Sequence, residues 1–128
     1  MFSVSWDNHT EEVASLNDVE RLLDGIHGET FGDEAPLVTV ERRPGGNSLT
    51  IGLGHDISIL SYIPEDNNPP YLVSVGELQG DGIIVFRFMG DWSEFPLKNG
   101  LPIAVARAAL RDFCRTGNLP ESVRWEQC

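Results

Sequence analysis

The segment between Leu37 and Leu53 constrains the fold more than any other. Leu37, Val38, Thr39 and Val40 run into Glu41, Arg42 and Arg43, and Leu49, Ile51 and Leu53 give the returning segment an apolar alternation. Between them stand Pro44, Gly45, Gly46 and Asn47, residue types that supply the fixed or positive φ angles of a tight turn. Two β-type runs joined in this way pair antiparallel, and the rest of the chain has to build on that hairpin.

More strands are expected around it. Phe2, Val4 and Trp6 alternate with Ser3 and Ser5 as a short edge strand, and residues 7–12 follow as a loop. Residues 57–63 and 71–75 read as strands, separated by an acidic, proline-rich loop over 64–70. Gly80, Asp81 and Gly82 turn the chain into Ile83, Ile84, Val85, Phe86, Arg87 and Phe88, whose nearly unbroken apolar character predicts a central strand. Residues 90–96 read as a loop presenting two exposed aromatics, Trp92 and Phe95, and residues 120–125 as a last short strand.

Two helices complete the expectation. Asn17, with Glu20 three residues on, forms a capping-box pattern. Val19, Leu22, Leu23 and Ile26 follow at helical spacing, and Gly25 and Gly28 mark the end. Pro102 suits the first turn of a second helix, and Ile103, Ala106, Leu110 and Phe113 (with Val105 and Ala109 alongside) form its buried stripe up to Gly117. The result is an α+β fold: a mostly antiparallel sheet of about six to seven strands with two main helices packed on one face. A chain of 128 residues, 41% of them hydrophobic, suffices for one core, so a single domain over residues 1–128 is expected.

Composition matters chiefly through charge. Nine Lys+Arg against 20 Asp+Glu leave a net charge of −11. Residues 1–35 hold nine acids and one base, and residues 64–101 six acids and two bases, whereas residues 102–128 are slightly basic. Such a chain repels a phosphate backbone, which disfavours direct nucleic-acid binding, and it steers toward a basic partner. No apolar run approaches the roughly 20 residues of a transmembrane helix, and residues 1–13 lack the basic and apolar regions of a signal peptide. A cytoplasmic protein without membrane contact is expected.

Catalytic chemistry finds little support. His55 and Asp56, following Gly52-Leu53-Gly54, are the best catalytic-looking pair, and Cys114 would need a general base to act as a nucleophile. An enzyme built on them brings His55, Asp56 and Cys114 into one pocket. No GxSxG, HExxH, phosphate-binding loop or complete dinucleotide fingerprint is present. His27 is explained as a cation favoured at a helix C-terminus, and Cys114 as a small core residue. Cys114 and Cys128 show neither a CxxC spacing nor a Cys/His cluster, so a structural metal is not expected and free thiols are. No catalytic residue, metal, cofactor or small-molecule substrate is assigned, and a binding protein is the expected class.

Several stretches add a resemblance. Ser48-Leu49-Thr50-Ile51-Gly52-Leu53-Gly54, Ser58-Ile59-Leu60-Ser61-Tyr62 and Tyr71-Leu72-Val73-Ser74-Val75-Gly76 come first. The most characteristic part is Ile103-Ala104 through Ala108-Ala109 and Phe113, then Thr116-Gly117-Asn118-Leu119-Pro120 and Val123-Arg124-Trp125-Glu126. Over residues 37–126 these motifs resemble the bacterial immunity proteins of polymorphic toxin systems, specifically the first-numbered immunity family. The resemblance implies a non-enzymatic antitoxin that binds a cognate toxin in the producing cell. That family is often encoded next to nucleic-acid deaminase toxins, which need a cationic cleft for their substrate. An acidic domain can occupy such a cleft, so charge and resemblance agree independently.

The motif residues themselves read as core and turns, so contacts are chosen on physical grounds. They are Asp56 at a strand end, Glu65 and Asp66 in the proline-rich loop, Glu77 and Asp81 around a turn, and Asp91, Trp92 and Glu94 in the next loop. An aromatic flanked by acids fits a hot-spot anchor with a charged surround. Tyr62 and Tyr71 are weaker choices, and Trp125 is expected to be packed. The competing expectation is an acidic adaptor or regulator whose basic protein partner is unrelated to toxins.

Overall fold

The computed structural model describes residues 1–32, 35–43, 46–66, 71–88 and 90–127. In chain order the elements are β1 (Phe2–Trp6), β2 (His9–Val13), α1 (Leu16–Thr30), β3 (Leu37–Arg42), β4 (Ser48–Gly52), β5 (Ile57–Ser58) and β6 (Leu60–Ile63). They continue with β7 (Leu72–Val75), β8 (Ile83–Phe88), β9 (Asp91–Pro96), a 3-10 turn at Leu97–Asn99, β10 (Leu101–Pro102), α2 (Ile103–Thr116) and β11 (Arg124–Gln127). Seven strands form one sheet in the order β11-β7-β6-β4-β3-β1-β2, with every pairing antiparallel. β8 and β9 make a separate hairpin, and β5 and β10 a two-residue ladder. The architecture is α+β. The turn residues Pro44 and Gly45 and most of the loop at 64–70 lie outside the described residues.

Strand alternation gives the sheet two unlike faces. Val4, Val40 and Leu49 stand in register, as do Val38, Ile51 and Leu60, and both rows point toward the helices. Val19, Leu23 and Ile26 of α1 and Ala106, Ala109, Leu110 and Phe113 of α2 close over them. Each large aliphatic side chain sealed there contributes about 1.5–3 kcal/mol. Between the helices, Arg107 meets Asp24 at 2.9 Å and Arg111 meets Glu20 at 3.1 Å.

Residues alternating with those rows point the other way. Thr10, Ser5, Thr39, Thr50 and Ser61 stand opposite one another across β2, β1, β3, β4 and β6, a continuous row of hydroxyls. Ser5 and Thr10 are hydrogen-bonded at 3.1 Å, Thr39 and Thr50 at 2.8 Å. The β8–β9 hairpin covers one end of this face. Phe86 lies over Gly52, where a Cβ would overlap its ring, and packs in a second cluster with Ala35, Leu37, Ile59 and Ile84.

The structure corrects several expectations. β2 runs through residues read as a loop, because an edge strand tolerates charges such as Glu11 and Glu12 that an interior strand does not. α1 is capped by Ser15, whose Oγ accepts from the Asp18 N–H at 3.2 Å, and not by Asn17. It also continues through Gly25 and Gly28 to Thr30, the burial of Ile26 outweighing a helical glycine's cost of about 1 kcal/mol. Ile83–Phe88 is not central: β8 pairs with β9, itself read as a loop, outside the main sheet. The last strand falls at Arg124–Gln127 rather than 120–125. α2 ends as expected at Gly117, where φ is 76° and the N–H bonds the Phe113 carbonyl at 2.7 Å. No helix among the described residues is long and apolar enough to cross a membrane.

Candidate functional site

The hairpin alternates as the sheet does. Ile84, Phe86 and Phe95 face the sheet, while Ile83, Val85, Trp92 and Glu94 face outward. Phe95 is therefore half-buried, 6.2 Å from the Phe86 ring, instead of exposed as expected. Trp92 remains 64% exposed and Ile83 54%. Among the described residues β9 pairs only with β8, so alternate backbone N–H and C=O groups of β9 face solvent.

Two contacts seat the hairpin. One is Phe86 over the bare backbone of Gly52. The other joins Arg87 to Asp7 in the turn between β1 and β2: Nε and Nη2 each donate to a carboxylate oxygen at 2.8 Å. Asp7 holds a left-handed φ of 50°, a conformation that is uncommon outside glycine. The hydrogen bonds from Arg87 hold the Asp7 carboxyl below its ordinary pKa, against the opposing effect of burial. The Arg87 backbone N–H also donates to the Ala35 carbonyl at 2.7 Å.

The acids chosen from the sequence fall in separate places. Asp91, Trp92 and Glu94 lie together on β9, and Asp81 precedes β8 at the foot of the hairpin. Glu77, in the connection before it, shares a groove with Lys98 and Arg124. Asp56 lies between β4 and β5, where its carbonyl accepts from the Ile103 N–H at 2.9 Å. Glu65 and Asp66 follow β6 at the Ser48 end of β4, the end away from Gly52, and Glu65 shares a groove with Arg42 and Arg43. Tyr71 is exposed, whereas Tyr62 packs against Phe113 and Trp125 on the helix side and burial pushes its hydroxyl pKa up. Trp125 is packed as expected, its Nε1–H donating to the Pro120 carbonyl at 2.8 Å. Asp7, Arg87 and Gly52, which position the hairpin, were not singled out for that role by sequence reasoning.

Cations are largely consumed within the molecule. Arg21, Arg43, Arg87, Lys98, Arg107, Arg111 and Arg115 each pair with a carboxylate. Asp56, Glu65, Glu77, Asp81, Asp91 and Glu94 make no ion pair among the described residues, and all six are exposed.

The residues of the enzyme alternative are not assembled. His55 leans on the hairpin, its Nε2 3.3 Å from the Val85 carbonyl and its ring against Phe86. Cys114 lies across the sheet in the helix-side core, where burial pushes its thiol up to about 12. His27 is not the helix-end cation expected: its Nδ1 accepts the Gly54 N–H at 2.8 Å, and burial, then the Arg107 charge, lower its pKa. Cys128 lies outside the described residues, among which no cluster of three or more His, Cys, Asp or Glu is placed to hold a metal.

What the surface offers is contact area and negative charge, the equipment of a protein that binds another protein. The family model described as Immunity protein Imm1 matches residues 7–127, and the chain belongs to that family. It is an immunity protein, and its partner is a cognate toxin. No curated protein matches the chain significantly.

Proposed function

We propose that this immunity protein neutralises a nucleic-acid deaminase toxin in the cytoplasm of the producing cell, by covering the toxin's basic substrate cleft with an acidic surface. The observation that carries this reading is the set of six exposed carboxylates with no ion pair among the described residues, in a chain of net charge −11 whose cations are mostly paired internally. A cleft that holds a phosphate backbone presents cations, and an acidic domain seated there replaces the substrate's charge and excludes it. Long-range attraction also speeds the encounter. Asp56, Glu65, Asp66, Glu77, Asp81, Asp91 and Glu94 supply acidic contacts, and Trp92 an aromatic anchor. The inhibitor brings no cofactor or metal of its own; the zinc of such a deaminase belongs to the toxin.

Co-expression with the toxin domain encoded beside it tests this reading. The expected result is cell survival and co-elution in a complex that weakens as salt rises. Survival without salt dependence would retain immunity and remove the charge mechanism. Failure to protect or bind, with both proteins folded, would remove the pairing and leave an unrelated basic partner.

A further inference from the structure

We infer that one element makes the central contact: the outward face of the β8–β9 hairpin enters the toxin's basic cleft, with Trp92 and Glu94 on that face and Asp91 at the adjoining tip. The inference rests on the reading above and narrows it from a dispersed acidic surface to a single projecting element.

Three observations carry it. First, the outward face of this element outside the main sheet exposes two large apolar side chains, Trp92 and Ile83. Clustered exposure of this kind marks an interaction site, and a tryptophan is the commonest anchor of one. Second, the acids there make no ion pair among the described residues. Glu65 and Glu77 share grooves with arginine or lysine, whereas the cation beside Trp92 on β8, Arg87, is already committed to Asp7. Third, the hairpin is preformed by the Phe86–Gly52 and Arg87–Asp7 contacts, which reduces the ordering that binding would otherwise require.

Charge selects the occupant. A second copy of this chain would bring −11 against −11 and align acids with acids, and a nucleic acid would be repelled in the same way. A basic protein cleft answers both the apolar side chains and the acids of the hairpin. The edge of β9 that has no strand partner among the described residues adds backbone donors and acceptors to the contact.

The test is titration of a catalytically dead toxin domain, the one encoded beside this protein, with hairpin variants and with a control at the far end of the sheet. Trp92→Ala should weaken binding by at least about thirty-fold, the loss expected for an anchor. Glu94→Arg should also weaken it and flatten its salt dependence, whereas Glu12→Arg, an exposed acid on β2 at the Ser48 end of the sheet, should change Kd by less than about three-fold. Because Trp92 is exposed, its alanine variant should keep the wild-type melting curve, and hydrogen exchange of the complex should slow at residues 91–96. Wild-type affinity in Trp92→Ala, or protection confined to residues 61–66, would overturn the hairpin assignment while leaving the immunity reading intact. No binding by the wild-type chain would overturn both. Self-association abolished by Trp92→Ala would assign the face to a second copy instead.

Discussion

The two faces of the seven-stranded sheet are finished in different ways. On the helix side, α1 and α2 seal the apolar rows, and Leu23, Ile51 and Phe113 are wholly buried. On the other side a small cluster under β8 and β9 adjoins the row of hydroxyls from Thr10 to Ser61, and the hairpin's outer surface keeps Trp92 in water. One side satisfies itself; the other leaves contact capacity over. With the hairpin contact proposed above, stability and recognition fall on opposite sides of one sheet, and each should respond to substitutions that leave the other alone.

The largest expected effect tests the closed side. Phe113→Ala should cost about 3–5 kcal/mol of unfolding free energy in a urea titration, as for other buried aromatics. Whatever fraction remains folded should bind toxin with wild-type Kd; a weakened Kd in that fraction would break the separation. Gly52→Ala comes next, since its Cβ must displace the Phe86 ring, at about 1–3 kcal/mol. Hydrogen exchange should then quicken at residues 83–96 and stay slow in α1 and α2. Equal loosening of both would show that the faces are mechanically one.

Asp7→Asn should have a smaller effect, about 1 kcal/mol, because the pair is partly exposed. The sign of its pH dependence follows from the lowered carboxyl pKa. The stabilisation is present above the unfolded value near 3.8 and is lost as pH falls through the lower folded value. Melts of wild type and Asp7→Asn should therefore converge in acid and separate at neutral pH. His27 gives the smallest effect. Its pKa is lowered from 6.5, so its contribution is complete above that pH and erodes as the pH falls through the lower folded value. Thermal melts between pH 7.5 and 5 should show this erosion in wild type and not in His27→Gln, while hairpin exchange rates stay the same.

Much of the closed side was legible in the sequence. The spacing of Val19, Leu23 and Ile26 and the pair Pro102 and Gly117 mark both helices, because packing against a sheet imposes a period that residues display locally. The hairpin side was legible only in fragments. β2 hides because His9, Thr10, Glu11 and Glu12 carry no apolar alternation, and β9 because Gly90, Asp91 and Pro96 are also turn formers. β8 misleads in an informative way: its unbroken apolar run reads as burial on both faces, and the folded chain fully buries side chains on only one of them, Ile84 and Phe86. Trp92 with its neighbouring acids stood out as a local cluster. The Arg87–Asp7 contact did not, since eighty residues separate its partners and only the closed fold brings them together.

The exposure of Trp92 also gives the protein an optical property. Of its three tryptophans, Trp6 and Trp125 are already half-buried, so the indole most open to water is the one on the hairpin. Indole emission moves to shorter wavelength when water leaves the ring. Any partner that covers the hairpin should therefore announce itself as a blue shift in the intrinsic fluorescence of the unlabelled protein, against a nearly constant background from the other two rings.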